Sequence, residues 1–133
     1  VFVGGSRRRA GPQRQNKANI LIVESDKAVL RSLAPILNLE GYGVTAVETG
    51  REALEKFRVH AFDLALVNLH LPDMDGADLI SIMHREKPRM VLLIFTGLPE
   101  EVALRALERG AQGLILKPAD PVEILAMIER QLG

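Results

Sequence analysis

The chain has 133 residues, 47% of them hydrophobic and 26% charged, which suits one compact domain and leaves no room for a second. It contains no cysteine, which excludes a disulfide framework, a thiolate nucleophile and a zinc–thiolate site. No apolar run approaches the roughly 20 residues that span a bilayer, so the sequence reads as soluble and cytoplasmic, without a membrane partner. The formal net charge of zero conceals an asymmetry. Arg7, Arg8, Arg9, Arg14 and Lys17 are five of the 17 basic residues and have no acid among them, which leaves 12 basic against 17 acidic residues, or −5, in 18–133. An acidic folded part argues against nucleic-acid binding by the domain itself.

Residues 1–18 carry Gly4, Gly5, Gly11, Pro12 and three consecutive arginines with almost no apolar periodicity, so they read as a flexible basic tail or linker. They lack the apolar core of a secretory signal. The domain is expected over 19–133.

Ile20–Val23 is a short continuous apolar run, suited to a strand buried on both faces, and it ends in Glu24-Ser25-Asp26. Val29, Leu30, Leu33, Ile36 and Leu37 then recur at helical spacing up to Gly41, with a kink expected at Pro35. Val44–Val47 reads as a second strand, Thr49 as the cap of a helix carrying Ala53, Leu54 and Phe57, and Leu64–Val67 as a third strand running into Asn68. A helix with Leu79, Ile80 and Met83 follows. Strand Met90–Phe95 ends at Thr96-Gly97, and the next helix carries Val102, Leu104, Ala106 and Leu107 up to Gly110. Strand Gly113–Leu116 runs into Lys117-Pro118, and the final helix presents Val122, Leu125, Ile128 and Leu132.

Strict β/α alternation implies a parallel sheet with right-handed crossovers and helices on both faces, the doubly wound α/β class. Ligands of such sheets bind beyond the carboxyl ends of the strands. Those ends carry Glu24, Ser25 and Asp26, then Asn68, then Thr96 and Gly97, then Lys117: acid, amide, hydroxyl and cation on one rim.

These residues carry a resemblance. Ile20-Leu-Ile-Val-Glu-Ser-Asp, Asn68-Leu-His-Leu-Pro-Asp-Met-Asp-Gly, Phe95-Thr-Gly and Leu116-Lys-Pro resemble the motifs of a response-regulator receiver domain, the phosphoacceptor module of two-component signalling, over 19–133. The resemblance implies a flavodoxin-like fold with five strands in the order 2-1-3-4-5, five helices on two faces, and a cis Lys117–Pro118 bond. It also implies the chemistry: an aspartate at position 68 accepts a phosphoryl group as an acyl phosphate. Magnesium is then held by acids after the first strand, that aspartate, and the backbone carbonyl of the residue at 70. Thr96 and Lys117 stand where that family contacts the phosphoryl oxygens.

Three departures qualify the resemblance. Asn68 carries an uncharged amide in place of the acceptor carboxylate, Ser25 replaces the second acid, and Leu114 replaces the aromatic switch residue expected three positions before Lys117. Asp26 comes one residue late and reads as a helix cap. No cofactor is therefore expected, and magnesium at most weakly, at Glu24, Asn68 and the His70 carbonyl. Lys117 is expected to pair with Glu24 and the Asn68 side-chain oxygen. Asp73-Met-Asp75-Gly76 lacks the remaining ligands of a calcium loop, and His60, His70 and His84 have no metal-ligand spacing.

The expected function is a pseudo-receiver in a phosphorelay, not an enzyme, that acts by protein–protein interaction. The alternative is a working phosphoacceptor receiver carrying an Asp-to-Asn substitution. A small flavodoxin-like enzyme lacks a Gly-rich phosphate loop or a nucleophile–base pair, and no small-molecule substrate is expected. Expected partners are a histidine kinase, an output domain or a second copy. The contact face is the fourth helix, fifth strand and fifth helix, with Glu100, Glu101, Arg105, Glu108, Arg109 and Glu129.

Overall fold

The computed structural model describes residues 17–133; Arg7, Arg8, Arg9 and Arg14 of the expected tail lie outside the described residues. Lys17 and Ala18, read as tail, are hydrogen-bonded to the domain: Lys17 N donates to the Gly41 carbonyl at 2.9 Å and Gly43 N to the Ala18 carbonyl at 2.9 Å.

Strands and helices alternate along the chain: β1 (Asn19–Val23), α1 (Lys27–Leu39), β2 (Gly43–Val47), α2 (Gly50–Val59), β3 (Leu64–Val67), α3 (Gly76–Glu86), β4 (Val91–Thr96), α4 (Glu100–Leu107), β5 (Gly113–Leu116) and α5 (Pro121–Leu132). The sheet is wholly parallel in the order β2-β1-β3-β4-β5, with Val23 opposite Val67 and Val67 opposite Ile94. β4 runs one residue later than expected, so Thr96 is its last residue.

β1, β3 and β4 are buried almost throughout because they are interior strands covered on both faces, whereas the edge strands β2 and β5 are only partly buried. Alternate side chains feed two cores. Ile20, Ile22, Leu64, Leu66, Leu93 and Phe95 pack with Leu33 and Leu37 of α1 and with Ile124 and Ile128 of α5. Leu21, Val23, Ala65, Val67, Leu92 and Ile94 pack on the other face with Phe57, Leu79, Ile80, Met83 and Ala103 of α2, α3 and α4.

In two helices the expected apolar set turns inward except for one residue each. α4 buries Ala103 and Ala106 while Leu104 is exposed, and α5 buries Ile124 and Ile128 while Val122 is exposed. Both helices carry apolar side chains beyond the inner stripe, so the 3.6-residue period alone does not fix its margins, where Ala103 and Ile124 go in and Leu104 and Val122 stay out. α1 is continuous through Pro35. Pro35 and Arg31 are both exposed, so the Arg31 carbonyl that lacks an N–H donor there faces water. Lys117–Pro118 is cis.

Candidate functional site

Parallel strands end at one edge of the sheet, and the ladder runs past those ends to fix the rim residues. Glu24 N donates to the Val47 carbonyl at 3.0 Å, Asn68 N to the Val23 carbonyl at 2.9 Å and Lys117 N to the Thr96 carbonyl at 2.8 Å. These bonds place Glu24, Asn68, Thr96 and Lys117 at the carboxyl edge of four adjacent strands.

Glu24 is the centre of the arrangement, with only 1% of its surface exposed. Its Oε1 accepts from Lys117 Nζ at 2.8 Å, and its Oε2 accepts from Asn68 Nδ2 at 2.9 Å and from Asp26 N at 3.0 Å. A buried carboxylate needs such donors to offset its lost hydration. Lys117 is half-buried, and its ammonium also lies 4.9 Å from the centre of the Phe95 ring, within cation–π range.

Asn68, itself buried, uses both ends of its amide. Nδ2 goes to Glu24, and Oδ1 accepts from His70 N at 3.0 Å. The expected pairing of Lys117 with the Asn68 oxygen is therefore not formed; the turn after β3 claims that oxygen through its own backbone, and Lys117 goes to Glu24 alone. The turn is closed by a bridge between exposed His70 and Asp75. Gly76 is required there, because a Cβ would lie 2.5 Å from the Asn68 carbonyl oxygen and 2.5 Å from Leu69 Cα.

The remaining candidates take quieter positions. Asp26 caps α1, its Oδ1 accepting from Ala28 N at 2.9 Å, and Ser25 is half-buried beside it. Thr96 is fully buried, and its Oγ1 accepts from Leu98 N at 3.2 Å. Gly97 and Pro118 are exposed, and Leu114 is half-buried against the α2–α3–α4 core. Asp75 caps α3 through Ala77 N at 2.9 Å, and Asp73 accepts from Gly50 N and Arg51 N, both at 2.9 Å. Those two bonds hold the Asp73 carboxyl below the usual carboxylate range. Neither acid of the Asp73–Asp75 turn is thus arranged as a calcium ligand.

Sequence reasoning missed the part of Phe95, whose ring faces the Lys117 ammonium, and the bond of Asp73 to the start of α2. An aromatic directly before Thr96 was a legible signal for the first. Nothing local signals the second, which joins residues 23 positions apart. Of the expected contact face, Arg109 turns toward α3 and pairs with Asp78 at 2.9 Å. No described helix is long and apolar enough to cross a membrane.

The family model for the response regulator receiver domain matches residues 20–129. The transcriptional regulatory protein ZraR of Escherichia coli is 33% identical over 116 residues, covering 86% of this chain and 26% of ZraR. The cell cycle response regulator CtrA of Brucella ovis is 29% identical over 110 residues, covering 82% of this chain and 47% of CtrA. The chain thus spans less than half the length of either relative. Among solved structures, a CheY-like receiver domain protein from Methanospirillum hungatei superposes with a TM-score of 0.83 at 38% identity, over 86% of this chain and 93% of that one. The non-phosphorylated HemR receiver domain from Leptospira biflexa does so with a TM-score of 0.80 at 34% identity, over 86% of this chain and 93% of that one. With its strand order, its rim of Glu24, Asn68, Thr96 and Lys117, and a family match across nearly the whole described fold, the chain belongs to the response regulator receiver domains of two-component signalling.

Proposed function

We propose that this receiver domain works as a pseudo-receiver, signalling by contact with other proteins and not through an acyl phosphate on residue 68. The carrying observation is the commitment of the Asn68 amide to Glu24 and to His70 N. An amide oxygen is a weak nucleophile with no charge to share with a metal, and this one already accepts a hydrogen bond.

The donors on the rim do not fit magnesium. That ion takes hard oxygens in near-octahedral geometry, usually with one or two carboxylates free to bind it. Here Ser25 is not an acid, both oxygens of Glu24 are occupied by N–H donors, and among the described residues no three His, Cys, Asp or Glu side chains cluster as metal ligands. The Lys117 ammonium and the Asn68 amide stand in for the cation by satisfying Glu24 from inside the protein.

Receiver domains interact with histidine kinases and output domains, and we assign this one a partner of that kind or a second copy, through α4, β5 and α5, in the cytoplasm. ZraR and CtrA are regulators longer than this chain. By analogy we propose an output domain as the partner in a longer protein. The domain turns over no substrate.

Incubation with acetyl phosphate and magnesium, followed by intact-mass measurement, tests the reading. No phosphoryl adduct is expected, and a stoichiometric adduct overturns it. Asn68→Asp alone is expected to label weakly or not at all, because Ser25 still withholds the second acid. Robust labelling of that variant would favour the alternative of an ordinary phosphoacceptor with a substituted aspartate.

A further inference from the structure

A cavity of about 380 Å3 opens beside the rim, between the first half of α1 and the start of α5. Its floor is Leu33, Phe95 and Ile124, side chains that are themselves almost wholly buried in the α1–α5 core. Pro118 forms part of its wall. The volume lies at the small end of the roughly 300–1,000 Å3 usual for small-molecule sites, which pair an apolar lining with a few placed polar groups.

Two lining residues carry polar side chains. The Ser32 hydroxyl is turned back on its own helix, donating to the Ala28 and Val29 carbonyls at 3.0 and 3.2 Å. The other is Lys117, which among the described residues is the only charged one lining the cavity, with no acid beside it there. An ammonium has three N–H donors. Among the described residues one of these is used, by Glu24 Oε1 at 2.8 Å. The cavity therefore offers an apolar floor with Lys117 in its wall, and the ammonium of that lysine, with donors to spare, lies 4.9 Å from the ring centre of Phe95, another lining residue.

We infer that this cavity binds a small apolar carboxylate, its hydrocarbon against Leu33, Phe95 and Ile124 and its carboxylate on Lys117 Nζ. The bound anion shares Lys117 with Glu24. Occupancy of the cavity is thereby felt at the rim where other receivers hold their phosphoryl group, and the ligand is an input that needs no covalent step. The inference goes beyond the function proposed above and does not depend on Asn68 being inert. Acetyl phosphate labelling bears on that reading alone, and ligand titration bears on this one alone.

The test is an NMR titration of the 15N-labelled full chain with hexanoate, octanoate and decanoate, and with octan-1-ol as the uncharged control. Saturable shifts are expected around Leu33, Phe95, Lys117 and Ile124. Affinity should rise by about fourfold for each methylene until the cavity is full. Lys117→Met should weaken octanoate by about tenfold or more and leave octanol unchanged, the loss that a charge-assisted bond carries. Glu24→Gln, which removes the competing carboxylate, should strengthen octanoate. Ser32→Trp, on the exposed side of α1, fills the mouth without touching the core and should abolish binding even if the Lys117 variant folds poorly. Absence of saturable shifts overturns the inference and leaves the cavity to a protein side chain. Octanol binding as tightly as octanoate, or Ser32→Trp binding octanoate normally, overturns it as well.

Discussion

The carboxylate of Glu24 lies out of reach of water, and three donors hold it: an ammonium, a side-chain amide and a backbone N–H. Removing one member of a buried pair costs far more than removing both, since the survivor keeps its desolvation without its partner. Lys117→Met is expected to destabilise the protein by about 3 kcal/mol in urea unfolding. The double variant Glu24→Gln, Lys117→Met should recover at least half of that loss. A single-variant cost under about 1 kcal/mol would place Lys117 among solvated surface pairs and remove it from the structural account of the rim. The identity of these residues was legible in the sequence, and so was the Lys117–Glu24 pairing. The orientation of Asn68 was not, because it depends on which group first satisfies its oxygen, and the nearby His70 N–H does so through the geometry of the turn.

α2 is secured at both ends by residues that follow β3. The Asp73 carboxylate receives the N–H groups of Gly50 and Arg51 at its start, and the Lys87 ammonium binds the Phe57 and His60 carbonyls at its end. Anion at the N-terminus and cation at the C-terminus match the polarity of the helix. The exposed Arg58–Glu86 pair between α2 and α3 is screened by solvent and contributes little beside them. Hydrogen bonding lowers the Asp73 pKa in the folded state relative to its ordinary value of 3.8. The stability it lends is therefore fully present above that value and is lost as pH falls through the lower folded one. Asp73→Asn should cost at most about 1 kcal/mol at neutral pH, because the group is exposed. It should also flatten the acid limb of a plot of unfolding midpoint against pH. Parallel acid limbs for the two proteins would show that another carboxylate governs that limb. Helix positions were well marked by their apolar periods and caps, and Thr49 and Asp26 cap α2 and α1 as their types suggest. Periodicity gave Ala106 and Ile128 of the inward faces of α4 and α5 but not their margins, where Ala103 and Ile124 prevail over Leu104 and Val122 because the sheet selects how far the covered stripe extends.

At the scale of the molecule, the fold is a wholly parallel sheet whose interior strands announce themselves as unbroken apolar runs. Such runs are required when helices cover both faces, which is why the architecture was legible from one sequence. The partner surface was not, since mixed charge on α4 and α5 records no complementary shape. On the proposed reading of the rim, magnesium should not act as a stabilising ligand of the domain. For a dissociation constant above about 50 mM, adding 5 mM magnesium contributes under about 0.1 kcal/mol, so the thermal midpoint is expected to stay put. A clear rise in the midpoint on adding magnesium would show that the rim retains a working metal site.

The Glu24–Lys117 bond joins residues 93 positions apart, one just past the first strand and the other just past the last. During synthesis the chain grows from its N-terminus, and at about 5–20 residues per second the lysine trails the glutamate by roughly 5–20 seconds. Throughout that interval Glu24 has no ammonium to meet, and β1 cannot seal its carboxyl end as it does in the finished domain. Closure of the rim therefore waits for nearly the whole domain to emerge, which makes a nascent chain stopped before Lys117 open at the same edge that the complete domain holds shut.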